Sequence, residues 1–129
     1  MAKRVKEKDI KIDQFVSSPA KRAKKTAKYF AEEFNADKND IKLEEELYLA
    51  TPSAFSNTID KLDDEHKTVA MFAHNPGITE FASSLTNVRI DDMPTCAVFA
   101  IQVETDKWSE FKTAEKKFLF FDYPKNPLP

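Results

Sequence analysis

Glycine occurs once in these 129 residues, against an ordinary usage of roughly 7%. Nucleotide-binding loops of the Rossmann or P-loop kind need several glycines, because backbone must come close to phosphate. Neither can be built here, so a bound anion has to be held by side chains and helix ends. Cysteine also occurs once, at Cys96, which excludes an internal disulfide and a thiolate metal cage. No window approaches the roughly 20 consecutive apolar residues that a membrane-crossing helix requires. The opening MAKRVKEK is charged, with no apolar stretch behind it, so no secretory signal is expected. With 41% hydrophobic residues, 33% charged residues and a mean hydropathy of −0.56, the composition implies one reduced, cytoplasmic domain with a single core. No cofactor and no metal is expected.

What the chain does have is charge, unevenly placed. Residues 1–28 carry ten Lys/Arg against three Asp/Glu, and residues 29–129 carry ten against nineteen, which leaves the net charge of −2. A basic front end can meet nucleic acid or a phosphorylated ligand, or it can be an ordinary solvated helix face.

No internal repeat or low-complexity block is present. Residues 1–9 read as a helix or its end, and Gln14 to Ser17 as a short strand centred on Phe15 and Val16. Pro19 to Phe34 is a helix, with Ala20, Ala23, Ala27, Phe30, Ala31 and Phe34 on one stripe. Ile41 to Leu43 and Leu47-Tyr48 are weakly extended. Thr51-Pro52 opens a helix bearing Phe55, Ile59 and Leu62, since Thr caps well and Pro fits the first helical position. Thr68 to Ala73 is a continuous apolar run of strand length, expected to be buried on both faces. Ile78 to Leu85 is a helix with Phe81, Ala82 and Leu85 inward. Cys96 to Val103 and Lys117 to Tyr123 are the last strands, joined by a short segment containing Trp108. Their connection is too short for a crossover, so they are expected to be antiparallel. The rest alternates strand with helix and predicts an α/β fold with a mainly parallel sheet.

Ligands of such sheets bind outside the carboxyl ends of the strands, and two of those turns are unusual. In Ser17-Ser18-Pro19-Ala20-Lys21-Arg22, Ser18 is a candidate cap, yet the first helical turn holds Lys21 and Arg22, where the helix dipole favours acids. Broken local rules are expected at functional positions. Free amides, the dipole and a guanidinium together suit a phosphate-sized anion, although a Lys-rich surface helix would read the same. The second turn is His74-Asn75-Pro76-Gly77, directly after the apolar strand. When protonated, a histidine there can donate both ring hydrogens to an anion; the alternative is a histidine satisfied by backbone. His66, in a charged loop, is expected to be solvated, and Cys96 to be core.

The stretch SSPAKRAKKTA after a short strand resembles the SSPxxRAxxT segment of the histidine phosphatase superfamily. TVAMFAHNPG, then DDMPTCAV, then a Trp and a closing FLFFDYP are similar to its short SixA-like branch of phosphohistidine phosphatases. The motifs run in family order from Met1 to about Pro124, which leaves 125–129 as a tail. The resemblance implies a phosphoglycerate mutase-like three-layer sandwich, with helices on both faces of a mainly parallel sheet. It implies that Arg22 grips the phosphoryl oxygens and that His74 is the second pocket histidine, the catalytic position this chain retains. Ser17, Ser18 and Asn75 are implied to support them from behind. The partner implied is a phosphorylated substrate, a phosphohistidine protein or a small phosphate ester. The acidic bulk argues against nucleic acid, and nothing suggests a membrane.

The family's first strand ends in an Arg-His motif that supplies the attacking imidazole, and no Arg-His pair occurs in these 129 residues. The resemblance therefore implies that the first, central strand is missing from this chain, that half the pocket remains, and that turnover is slight or absent. A non-catalytic phosphate-binding module is the alternative. Without the central strand, two apolar strand edges would lie open, so lowered stability or association with another chain is expected.

Overall fold

The computed structural model describes residues 1–48, 51–88, 90, 93–94 and 97–124. Helix α1 (Ala2–Lys6) leads to strand β1 (Gln14–Ser17), helix α2 (Lys21–Glu33), strand β2 (Lys42–Leu43), helix α3 (Pro52–Asp60) and strand β3 (Val69–Phe72). Helix α4 (Gly77–Leu85) then precedes the hairpin of β4 (Val98–Val103) and β5 (Lys116–Asp122). β1 lies between β2 and β3, parallel to both, with Ser17 level with Leu43 on one side and Phe72 on the other. β4 and β5 pair antiparallel, with a register irregularity at Ala100/Ile101. This is the mixed α/β architecture the sequence implies, with the parallel strands and the antiparallel pair as two separate sheets.

The strand period of two places the layers. Phe15 of β1 and Phe72 of β3 join Val5, Ala23, Ala27, Phe30 and Ala31 beneath α1 and α2. Val16, one residue on, turns to the other face and packs with Leu47, Phe55, Ile59, Phe81 and Phe111 beneath α3 and α4. The hairpin contributes to both faces, Val98 and Phe120 on the first and Ile101 and Val103 on the second. Stacked Phe55 and Phe81 rings, 4.7 Å apart, join α3 to α4.

Scarce glycine leaves its mark on the turns. Two residues adopt a left-handed φ of 59°, Asp9 after α1 and Asn35 after α2, and the chain's glycine is not among them. Asp and Asn are the side chains that best tolerate that region when glycine is not used. Gly77 instead sits buried at the start of α4.

Several boundaries differ from the sequence expectation. α2 begins at Lys21 rather than Pro19, because Ser18 Oγ accepts the Ala20 amide at 3.1 Å and forms a turn before the helix instead of its cap. Of Leu47-Tyr48 only Tyr48 is extended: a 3-10 turn over Glu45–Leu47 buries Leu47 in the core. β3 packs on both faces as expected, Ala70 and Phe72 in one cluster and Val69 and Met71 in the other, with Val69–Met71 half-buried rather than fully enclosed. α3 stops at Asp60, short of Leu62, while Thr51 caps it as expected by accepting the Ala54 amide at 3.3 Å. Cys96 and the 125–129 tail lie outside the described residues.

Candidate functional site at the carboxyl edge of the parallel sheet

All three parallel strands deliver their carboxyl ends to one edge, and the turns found there are cross-braced. Ser17 and Ser18 have no exposed surface. The Ser18 amide donates to the Phe72 carbonyl across β3 at 2.8 Å, and the Glu44 amide after β2 donates to the Ser17 carbonyl at 2.9 Å. Ser17 Oγ donates to the Ser18 carbonyl at 2.8 Å, satisfying a buried hydroxyl within the turn. These serines are buried at the entry to α2 and hydrogen-bonded within the turn.

α2 then starts with no acidic residue in its first turn, and Lys21 and Arg22 are exposed. Among the described residues no ion pair or side-chain hydrogen bond occupies the Arg22 guanidinium. Its direction follows from the helix period. At about 100° per residue, Lys24 and Lys28 fall on one flank of the buried stripe and Arg22 and Thr26 on the other. Lys24 and Lys28 border a cleft with Ile41 and Leu43 on the β2 side. Arg22 therefore takes the flank toward β3 and the turn after it.

That turn carries His74, two residues beyond Phe72 and half-buried. Its carbonyl accepts the Ile78 amide at 3.2 Å, which fixes it against the start of α4. Tyr48 meets the imidazole edge-on, with ring centroids 5.7 Å apart and planes at 82°, and remains 54% exposed. Tyr48 was not singled out from the sequence. The available signal was an aromatic residue a few positions beyond β2, a strand ending on this same edge.

Asn75 follows His74 in the same turn. Its Nδ2 donates to the Met93 carbonyl at 2.9 Å, its Oδ1 accepts from Thr79 Oγ1, and that hydroxyl accepts the Met93 amide at 3.0 Å. The segment around Met93 is thereby tied to the first turns of α4, and the Asn75-Pro76 bond is cis.

The structure thus brings Arg22, His74, Ser17, Ser18 and Asn75 to one edge. His66 lies before β3, at the opposite end of that strand, and its carbonyl accepts the Trp108 indole N–H at 2.7 Å. One of the two histidines in the sequence is therefore at the edge. A cleft of about 510 Å3 runs elsewhere, along the outer face of α3 between Glu46 and Lys61, and reaches neither Arg22 nor His74. Among the described residues no group of three or more His, Cys, Asp or Glu could hold a metal ion, and no helix is long and apolar enough to cross a membrane. An unpaired guanidinium, an imidazole and first-turn amides on one edge are suited to hold a multiply charged oxyanion.

No protein-family model matches the chain, and no curated protein matches it. The fold is similar to a solved structure from Nakamurella multipartitia that carries the provisional name phosphohistidine phosphatase SixA. The likeness has a TM-score of 0.75 over 97% of this chain and 78% of that one, at 12% sequence identity. At that identity the two share an architecture, a parallel sheet between helices with an antiparallel pair beside it.

Proposed function

We propose that this chain is a histidine-phosphatase-like domain whose carboxyl-edge site binds the phosphoryl group of a phosphohistidine protein or a small phosphate ester. The observation that carries the reading is Arg22, unpaired among the described residues, on the β3 flank of α2 and on the same braced edge as half-buried His74. A structural neighbour named for this activity, with the same architecture, supports it.

In this reading Arg22 offsets charge on the phosphoryl oxygens with paired N–H donors, and the α2 amides add the helix dipole. His74 donates from its ring nitrogens, and Tyr48 limits the angles its imidazole can take. Ser17 and Ser18 keep the turn from relaxing, and Asn75 holds the neighbouring segment in place. Hydrolysis through a phosphohistidine intermediate needs an imidazole to attack phosphorus while a second set of donors clamps the oxygens. With one histidine at this edge, these residues supply the clamp and leave the attack unfilled. The chain as given is therefore a binder with little or no turnover.

Phosphate or sulfate should raise the melting temperature, by the several degrees that about 2.7 kcal/mol of ligand stabilisation at 100-fold saturation gives a domain of this size. Arg22→Ala should abolish the rise. Absence of any rise would overturn the site. Robust hydrolysis of a phosphohistidine peptide, lost in His74→Ala, would overturn the non-catalytic reading and leave the site standing.

The expected additional central strand belongs to the same proposal. Among the described residues β3 and β4 each have one partner strand, so each keeps an open edge, and the hairpin packs on both clusters that flank β3. Open apolar edges favour association, so light scattering should find the chain self-associating or melting broadly. A sharp, cooperative melt from a monomer would remove this part.

A further inference from the structure

The basic front end is not absorbed by the phosphoryl site. Lys24 and Lys28, one helical turn apart on α2, border a cleft of about 130 Å3 together with Lys38, Ile41 and Leu43. None of these three lysines has an ion pair or side-chain hydrogen bond among the described residues. Neighbouring charges are already engaged: Asp37 accepts the Asn39 amide at 2.8 Å, and Lys42 pairs with Glu44 at 3.2 Å. Ile41 and Leu43 share one side of the chain by the strand period, and Leu43 is 51% exposed, so the cleft has an aliphatic floor under a cationic rim. β2 is also the outermost strand of its sheet, paired with β1 on one side only. Among the described residues its outer edge therefore has no partner strand, and it lies beside three lysines without an ion pair.

We propose that this face docks an acidic, extended segment of a protein partner, added as a further strand along the outer edge of β2. The added backbone satisfies the open strand edge, which is the usual source of affinity when a peptide extends a sheet. Alternate side chains of the segment point to the α2 face, where carboxylates meet Lys24, Lys28 and Lys38 and their stems cover Ile41 and Leu43. Charge complementarity sets the choice of partner. A nucleic acid is disfavoured because residues 29–129 carry a charge of −9 that a long polyanion would have to approach. The docking face lies on the opposite flank of α2 from Arg22, so it goes beyond the phosphoryl reading and does not depend on it.

The test is fluorescence anisotropy of the full chain with a labelled decapeptide of alternating glutamate and valine. Saturable binding is expected, with at least about tenfold loss in Lys24→Glu/Lys28→Glu and a smaller loss in Lys38→Glu. Leu43→Asp, at a half-exposed position, should weaken binding through the floor. Lys11→Glu, exposed and outside the cleft, should change it by less than about twofold. The corresponding lysine–valine peptide should not bind. Circular dichroism checks that each variant is folded, and Lys24→Gln/Lys28→Gln gives a milder second measurement. Affinity unchanged in both double variants, no binding of the acidic peptide, or tighter binding of an oligothymidylate that the same variants lose would each overturn the proposal.

Discussion

The carboxyl edge of the parallel sheet and the β4–β5 hairpin both carry cations, and they use them in opposite ways. In the hairpin region every described cation near the core is engaged. Arg4 reaches from α1 to the buried Asp122 carboxylate at 3.2 Å and to the Tyr123 carbonyl at 3.1 Å. Lys116 Nζ donates to the carbonyls of Phe111 and Ala114 at 2.7 and 3.0 Å and sits 4.5 Å above the Phe111 ring. At the sheet edge Arg22 has no such partner among the described residues, although the turn that carries it is fully buried at Ser17 and Ser18. A rigid support holding an uncompensated charge is the expected signature of a binding position, whereas a compensated charge is part of the fold.

If that contrast is right, replacing one cation from each region should separate stability from ligand response. Arg4→Met removes the guanidinium from a carboxylate that is 9% exposed at its side chain and should cost about 2–3 kcal/mol, read as a lower urea midpoint. Its phosphate-induced rise in melting temperature should survive in size. Arg22→Ala should do the reverse. Stability without ligand should move by less than about 0.5 kcal/mol, as expected for an exposed, unpaired side chain, while the phosphate-induced rise disappears. Loss of the ligand response in Arg4→Met, or its retention in Arg22→Ala, would erase the distinction between the two regions.

Ser18→Ala sharpens the comparison from the support side. The hydroxyl accepts the Ala20 amide just before α2, and losing an acceptor of this kind typically costs about 1 kcal/mol. Thermal melts should show that modest loss together with a reduced phosphate response, because the turn that aims the first helical turn is slackened. A stability loss with an undiminished response would mean that the turn carries no positional information for the site.

How far each region could be read in advance follows the same division. β1 was legible to the residue, and Thr51 as a cap, because both rest on local chemistry: a short apolar strand beside polar turn residues, and a Thr-Pro pair. That the turns after β1 and β3 share one edge was legible because parallel strands must all point one way. Contacts between distant segments were not. Arg4 read as one more charge in a basic front end, yet its partner lies 118 residues away. Asn75 read as a neighbour of His74, while its bond to Met93 spans 18 residues with no periodicity to announce it. The contact of Tyr48 was hidden because Leu47 before it read as extended. Burial of Leu47 draws Glu45–Leu47 into a 3-10 turn, and that turn presents the next residue to His74. Tertiary packing decided the local conformation there, as it does wherever intrinsic preference is weak.

The smallest effect tests the hairpin cation by pH. Burial lowers the Lys116 ammonium below its ordinary 10.5. The folded chain therefore releases this proton at lower pH than the unfolded chain does. Between the two values the unfolded state binds more protons, so stability due to this group rises as pH increases toward 10.5. Urea unfolding of the wild type relative to Lys116→Met should show the difference shifting in favour of the wild type across that alkaline range, by at most a few tenths of a kcal/mol, since the amine is not fully buried. The neutral amine still donates to the Phe111 and Ala114 carbonyls, so the bonds that close the turn persist after the charge is gone. A difference that moves toward the variant would mean that the charge itself holds the hairpin. A difference that stays flat would mean that Lys116 is no more a cation of the buried kind than Arg22 is.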